Sequence, residues 1–186
     1  MVKEKTISDQ PKRHRFNNAD FLKMLEAGFF DQGPRVELIN GEILEVDNVG
    51  PRHAFTVALL MERLSVFKDQ VFVWPQCSLQ IPEVSTPLPD IVLLKLPKEQ
   101  YRDQLPGPEQ ALLVIEVSDS SLATDRNLKL PIYAEAGIPE YWIVNLEQHQ
   151  LEIYRDPKGA DYLTRTTLQM GQKAQALCLS EAIAWD

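Results

Sequence analysis

The chain predicts an α/β domain of the α+β kind: a mixed β-sheet flanked by helices, with an N-terminal β-hairpin. Three observations carry that prediction. Asn40-Gly41 divides RVELINGEILEV into two short alternating runs, the strongest short-range signal for a two-residue type I′ hairpin. After Pro51, Val57, Leu60, Met61 and Leu64 fall on one face of a helix of about four turns. Two apolar runs, 111–118 and 140–146, bracket a helical stretch, an order that predicts a right-handed parallel crossover within one sheet.

The remaining elements follow in chain order. Residues 1–16 are polar and basic and contain Pro11, so they are expected to form a flexible arm, with 17–186 as a single domain. Lys3, Lys5, Lys12, Arg13 and Arg15 of that arm could touch phosphate or simply be solvated. Asn17 or Asn18 caps a short helix that carries Phe21, Leu22 and Leu25 and ends at Gly28. In the hairpin, Ile39 is expected opposite Glu42 and Glu37 opposite Leu44, which sets Glu37 and Glu42 on one face. QVFVWPQCSLQI reads as a strand marked by Pro75, with Cys77 a buried thiol within it. Asp90 opens the short apolar strand IVLLK. The 111–118 strand then leads to a helix ending at Gly137. Pro131 suits a first turn if that helix starts near Asn127, and implies a kink if it starts at Asp125. Segments 150–155 and 162–168 form a closing hairpin, and a helix is expected from Ser180.

Composition narrows the function classes. With 186 residues, 44% hydrophobic and 25% charged, the chain has the make-up of an ordinary globular domain. No apolar run approaches the roughly 20 residues that cross a bilayer, and the N-terminus lacks a secretory core. No membrane association is expected, and the simplest localisation is cytoplasmic. Cys77 and Cys178 have no CxxC partners, which argues against a disulfide framework or a cysteine zinc site. The net charge of −8, from 27 acids against 19 bases, argues against a broadly basic nucleic-acid surface but leaves room for a local patch. The chain has no glycine phosphate loop, no HExxH and no Gly-x-Ser-x-Gly.

The informative residues are acids embedded in apolar strands. Glu116 is flanked by Val114, Ile115 and Val117, and an ionised carboxylate there is costly unless paired or bound to a cation. Alternation puts Val114, Glu116 and Ser118 on one strand face, and Asp90, Val92 and Leu94 on one face of the earlier strand. If the two strands are neighbours, Asp90 and Glu116 converge. Two such carboxylates raise each other's pKa unless a cation lies between them, and hard oxygens with room for water suit Mg²⁺ or Mn²⁺. The alternative from spacing is that each acid pairs with a local arginine or caps a turn.

Pro89-Asp90, with Glu116 twenty-six positions later, resembles the PD-(D/E)XK motif of restriction-endonuclease-like nucleases. VELINGEI, PDIVLLK and LLVIEVSDSS…DRNLKLPIYAEAGIPEYWIVN together resemble, more specifically, the Uma-type endonuclease family, over roughly residues 18–156. The resemblance implies a restriction-endonuclease-like core and Mg²⁺-dependent (or Mn²⁺-dependent) hydrolysis of DNA. Asp90, Glu116 and the Val117 carbonyl would hold the metal. Glu37 matches the acid of the family's hairpin and would support the metal shell, with Glu42 a weaker candidate. His53 matches a frequent family histidine and could orient a phosphate or a water, or cap the helix.

One position departs from the motif. The motif lysine would fall at 118, where this chain has Ser118, which cannot supply positive charge to the reaction. Lys95 points to the other side of its strand and Lys98 lies in a loop. Lys129, on the helix after the acid strand, could reach back, and the resemblance agrees, because the family carries its lysine on this helix. Asp125 reads as structural at a helix start, and Tyr133 and Trp142 read as core. Two functions are open on these residues. One is a DNA endonuclease with Asp90, Glu116, Lys129 and Glu37 as catalytic residues. The other is a catalytically weak or inactive nuclease fold serving as a homodimeric binding or regulatory module. A homodimer is expected under either.

Overall fold

A computed structural model describes residues 13–46 and 49–186. Most of the expected arm lies outside the described residues. Its last part packs on the hairpin, where the Phe16 N–H donates to the Gly41 carbonyl at 2.9 Å. Helix α1, Asn18–Glu26, is capped by Asn17, whose side chain accepts from the Asp20 N–H. The hairpin pairs β1, Val36–Ile39, with β2, Glu42–Glu45, in the expected register. Asn40 at φ 50° and Gly41 at φ 79° supply the two left-handed residues that a type I′ turn needs.

Helix α2, Pro51–Leu64, seats Val57, Leu60 and Leu64 in the core, each burial contributing roughly 1.5–3 kcal/mol. The chain then builds one six-stranded sheet from β3 (Phe72–Pro75), β4 (Ile91–Leu94), β5 (Ala111–Ser118), β6 (Glu140–Asn145), β7 (Gln150–Lys158) and β8 (Asp161–Gln169), in that spatial order. Only β5 and β6 run parallel; the other pairs are antiparallel. The β5–β6 connection contains the helical run α3, made of an α turn (Leu122–Thr124), a π-helical segment (Asp125–Lys129) and an α-helix (Leu130–Glu135).

Strand alternation divides the core into two layers. Ile91, Leu93, Leu113, Ile115 and Val117 face α2 and the C-terminal segment. Val92, Leu94, Val114, Ile143 and Tyr154 face α3. Glu116 and Asp90 belong by parity to the α3 face. Among the described residues, no helix is long and apolar enough to cross a membrane.

Three local expectations are corrected. No helix starts at Ser180; instead β10, Ile183–Ala184, pairs with β9, Lys173–Ala174. Ile183 and Trp185 are buried two residues apart, so strand parity beats the cap-like Ser180-Glu181. Strand β3 stops at Pro75 because Gln76 takes φ 43°, which leaves Cys77 half-buried in irregular chain. Helix α3 starts at Leu122, earlier than Asn127, and Pro131 falls in the first turn of its last α-helical segment, Leu130–Glu135. The π segment precedes it, with the Leu130 N–H bonded to the Asp125 carbonyl. That wide turn absorbs the missing N–H and the ring.

Candidate active site

The β4–β5 register decides whether the acids meet. Ile91 lies opposite Ile115, so one step further along the antiparallel pair sets Asp90 opposite Glu116. The junction is closed by Asp90 itself, whose Oδ2 accepts the Val117 N–H at 2.8 Å. In extended chain a residue's N–H and C=O point to the same side, so the Val117 carbonyl is turned toward Asp90 as well. The same Oδ2 lies 3.0 Å from His53 Nε2, in the first turn of α2. That hydrogen bond raises the His53 pKa against the opposing effect of burial. His53 Nδ1 is buried and has no hydrogen-bond partner among the described residues.

Glu116 is 3% exposed. Its Oε1 accepts from Lys129 Nζ at 3.1 Å and from the Tyr133 hydroxyl at 2.9 Å. Burial pushes the Glu116 carboxyl well above its ordinary value, against the pull of Lys129. Lys129 is buried too, and its carboxylate neighbours favour its charged form. Desolvation alone would lower its pKa, but Glu116, Glu37 and Asp125 together raise it. Its Nζ lies 3.1 Å from Glu37, 3.1 Å from Glu116 and 4.0 Å from Asp125.

Glu37 reaches this point because the hairpin is stitched to the segment before β4. Leu38 and Thr86 exchange backbone hydrogen bonds, and Glu37 Oε2 accepts the Leu88 N–H at 3.0 Å. Asp90 follows two residues later, so one carboxylate ties the strand leading to Asp90 to the lysine on α3. Ser118, where the motif lysine would stand, donates to Asp125 Oδ2 at 2.6 Å, and Ser121 donates to the same oxygen at 2.7 Å. Burial raises the Asp125 carboxyl, opposed by Lys129 and the two hydroxyls.

Asp90, Glu116, Lys129, Glu37 and His53 therefore line one cleft of about 240 Å³, together with Asp125. Glu42 is outside it, exposed and 3.9 Å from Arg13. Lys95 and Lys98 are exposed at the far end of β4. Asp125 and Tyr133 belong to the site although their sequence reading was structural. Their signal in the sequence is the four-residue spacing of Asp125, Lys129 and Tyr133 on one helical run. Tyr133 serves both purposes: its ring is fully buried against Tyr141, and only its hydroxyl meets Glu116.

Asp90, Glu116 and the Val117 carbonyl are the oxygens of this cleft that could hold a divalent cation. Glu37, Asp90, Glu116 and Asp125 outnumber the cationic groups around them. Asp90 Oδ1 and Glu116 Oε2 accept no hydrogen bond from the described residues. Among those residues no group of three or more His, Cys, Asp or Glu is arranged to hold a metal, so a closed protein cage is absent. Two carboxylates and a carbonyl could supply only a sparse shell, of the kind that Mg²⁺ completes with waters. A water occupies about 30 Å³, so the cleft has room for several beside a phosphate group.

The Uma2 family profile, described as "Putative restriction endonuclease", matches residues 19–184. No protein with a curated description matches the chain. The fold is similar to that of a crystal structure described as a putative nuclease belonging to DUF820, from Anabaena variabilis. The TM-score is 0.63 at 14% identity, over 82% of this chain and 88% of that one. At that identity the likeness speaks for the fold, while the profile spans nearly the whole of the mixed sheet and its acidic cleft: the chain belongs to the Uma2 family of putative restriction endonucleases.

Proposed function

We propose that this protein is a Mg²⁺-dependent (or Mn²⁺-dependent) endonuclease that hydrolyses phosphodiester bonds of DNA, acting as a cytoplasmic homodimer. The observation that carries the reading is the β4–β5 register, which faces Asp90 with Glu116 while Lys129 meets Glu116 from α3. Asp90, Glu116 and the Val117 carbonyl would hold the ion. A divalent cation in that position supplies Lewis acidity toward a phosphate and lowers the pKa of a bound water.

The chain's own residues do the rest. The carboxylate neighbours of Lys129 favour its protonated form. It is a fixed positive charge that stabilises negative charge building on the phosphate, the role Ser118 cannot fill. Glu37 and Asp125 hold that ammonium in place. Tyr133 aims Glu116, and His53 with the Val117 N–H aims Asp90.

Nicking of supercoiled plasmid in Mg²⁺ and in Mn²⁺ tests the proposal, beside Asp90→Asn, Glu116→Gln and Lys129→Met. The wild type is expected to nick, chelation to stop it, and each variant to lose about a hundredfold or more. Wild-type activity no greater than that of the variants would overturn the reading. A second reading, an inactive nuclease fold kept as a homodimeric binding or regulatory module, draws on the burial of Lys129 among carboxylates that already bond it. Calorimetry separates the two: Mg²⁺ or Mn²⁺ binding that disappears in Asp90→Ala argues against the second.

A further inference from the structure

A cleft lined by carboxylates repels the polyanion it is proposed to cut, and its buried lysine is held inside an ion-pair cluster. Some other group must grip the substrate. Arg35 stands two residues before Glu37 on the same face of the hairpin, at the mouth of the cleft and exposed to solvent. Its backbone carbonyl continues the hairpin ladder by accepting the Val46 N–H at 2.8 Å, so its position is fixed. Its guanidinium makes no hydrogen bond or ion pair with any described residue. By contrast, Arg52 beside the cleft is engaged by the Leu146 carbonyl at 2.7 Å and by Asp119 at 3.6 Å.

Gln76 shares that setting. Its backbone is held by a hydrogen bond from its N–H to the Asp90 carbonyl at 2.8 Å and by its left-handed φ of 43°. Its side-chain amide is half-buried and makes no hydrogen bond with the described residues. Arg35 and Gln76 line both the acidic cleft and an adjoining groove floored by Ala54, Val57 and Ala58. They stand where a phosphate-sized site gives way to an apolar trough.

We propose that Arg35 and Gln76 are the substrate grip of this cleft, Arg35 binding a backbone phosphate of the nucleic acid and Gln76 the adjacent nucleotide lying in the groove. This rests on the nuclease reading above and adds to it the residues that recognise the strand. A guanidinium with an unoccupied fork suits two phosphate oxygens. A free carboxamide offers both a donor and an acceptor to a base edge or sugar. Small apolar side chains leave room for a sugar or base face. Arg35 and the acids line the same cleft, so a strand gripped by Arg35 runs past Asp90 and Glu116.

Binding of a fluorescein-labelled DNA oligonucleotide, measured by anisotropy over a range of salt in EDTA, tests the grip without requiring turnover. Arg35→Ala is expected to weaken binding about tenfold and to lower the slope of log K against log salt by about one. Arg35→Lys should restore the slope but only part of the affinity, and Gln76→Ala should weaken binding with the slope unchanged. A wild-type slope in Arg35→Ala, or no oligonucleotide binding by the wild type, overturns the inference. Plasmid nicking run in parallel keeps the two failures apart. Nicking abolished by Asp90→Asn but untouched by Arg35→Ala leaves the nuclease reading standing and removes the grip. Arg35-dependent binding without any nicking does the reverse.

Discussion

Lys129 is the residue on which stability and proposed chemistry meet. It is a single ammonium buried among Glu37, Glu116 and Asp125, and removing it leaves uncompensated charge in the core. Lys129→Met is expected to destabilise the fold by about 3–5 kcal/mol in urea titration. The double variant Lys129→Met/Glu116→Gln should recover part of that loss, because it removes a carboxylate that the lysine paired. Tyr133→Phe takes away only the hydroxyl that bonds Glu116. It should cost about 1.5–3 kcal/mol, and it should lower nicking without changing DNA affinity. Strand parity, a local property of the chain, gives the face of Asp90 and of Glu116, and the motif resemblance links the two; their meeting follows from the β4–β5 pairing. The hydroxyl contact of Tyr133 was not legible, because an aromatic at a core position looks the same whether its polar tip is used or idle.

At the scale of elements, α3 is pinned to the sheet on both sides of the site. Lys129 enters the acidic cluster, while Arg126, in the same π segment, bonds Glu152 on β7 through Nε at 3.1 Å and through Nη2. Arg165 on β8 bonds Glu152 at 2.8 Å, and the Tyr154 hydroxyl donates to it as well. Burial alone would raise the Glu152 carboxyl, but the hydrogen bonds from Arg126 and Tyr154 and the charge of Arg165 hold it below its ordinary 4.5. A depressed carboxyl contributes stability that is present above the unfolded value and is lost as the pH falls through the folded one. The stability gap between wild type and Glu152→Gln in urea should therefore be constant from pH 7 to about pH 5 and shrink below the ordinary value of 4.5. A gap that widens on acidification would contradict this account. The strand–helix–strand order around α3 was legible from apolar runs and Gly137. Its π segment was not, because Arg126 bonds Glu152 on β7 and Lys129 bonds Glu116 on β5 from this turn just ahead of Pro131, contacts with strands that local sequence does not specify.

At the scale of the molecule, the C-terminal segment closes the sheet face opposite α3. Glu140 is fully buried at the start of β6, where it accepts from Trp142 Nε1, from Arg155 and from the Leu177 N–H. This lock draws the chain back so that Ala174, Ile183 and Trp185 complete the α2-side core. The proposed homodimer is also a whole-molecule property. Sedimentation equilibrium should give twice the chain mass of 21.2 kDa, and a single-chain mass at micromolar concentration would dispose of it. Exposed Phe55 and Met170 border one groove near Trp185, so Phe55→Asp is a direct probe of whether that face takes part.

Taken by itself, the sequence determined the mixed sheet and the hairpin register, because alternation and turn chemistry act over a few residues; it marked the two acids and, with the family resemblance, the lysine on the following helix as candidates. The tertiary structure decided which long-range partners those residues meet. It placed Asp90 across from Glu116, tied Glu37 to Leu88 and Lys129, gave Asp125 the two serine hydroxyls, and left the Arg35 guanidinium at the mouth with no partner among the described residues. The physical reason is desolvation. A buried charge is tolerable only with partners, and those partners come from strands and helices far apart in the chain, so packing alone chooses them.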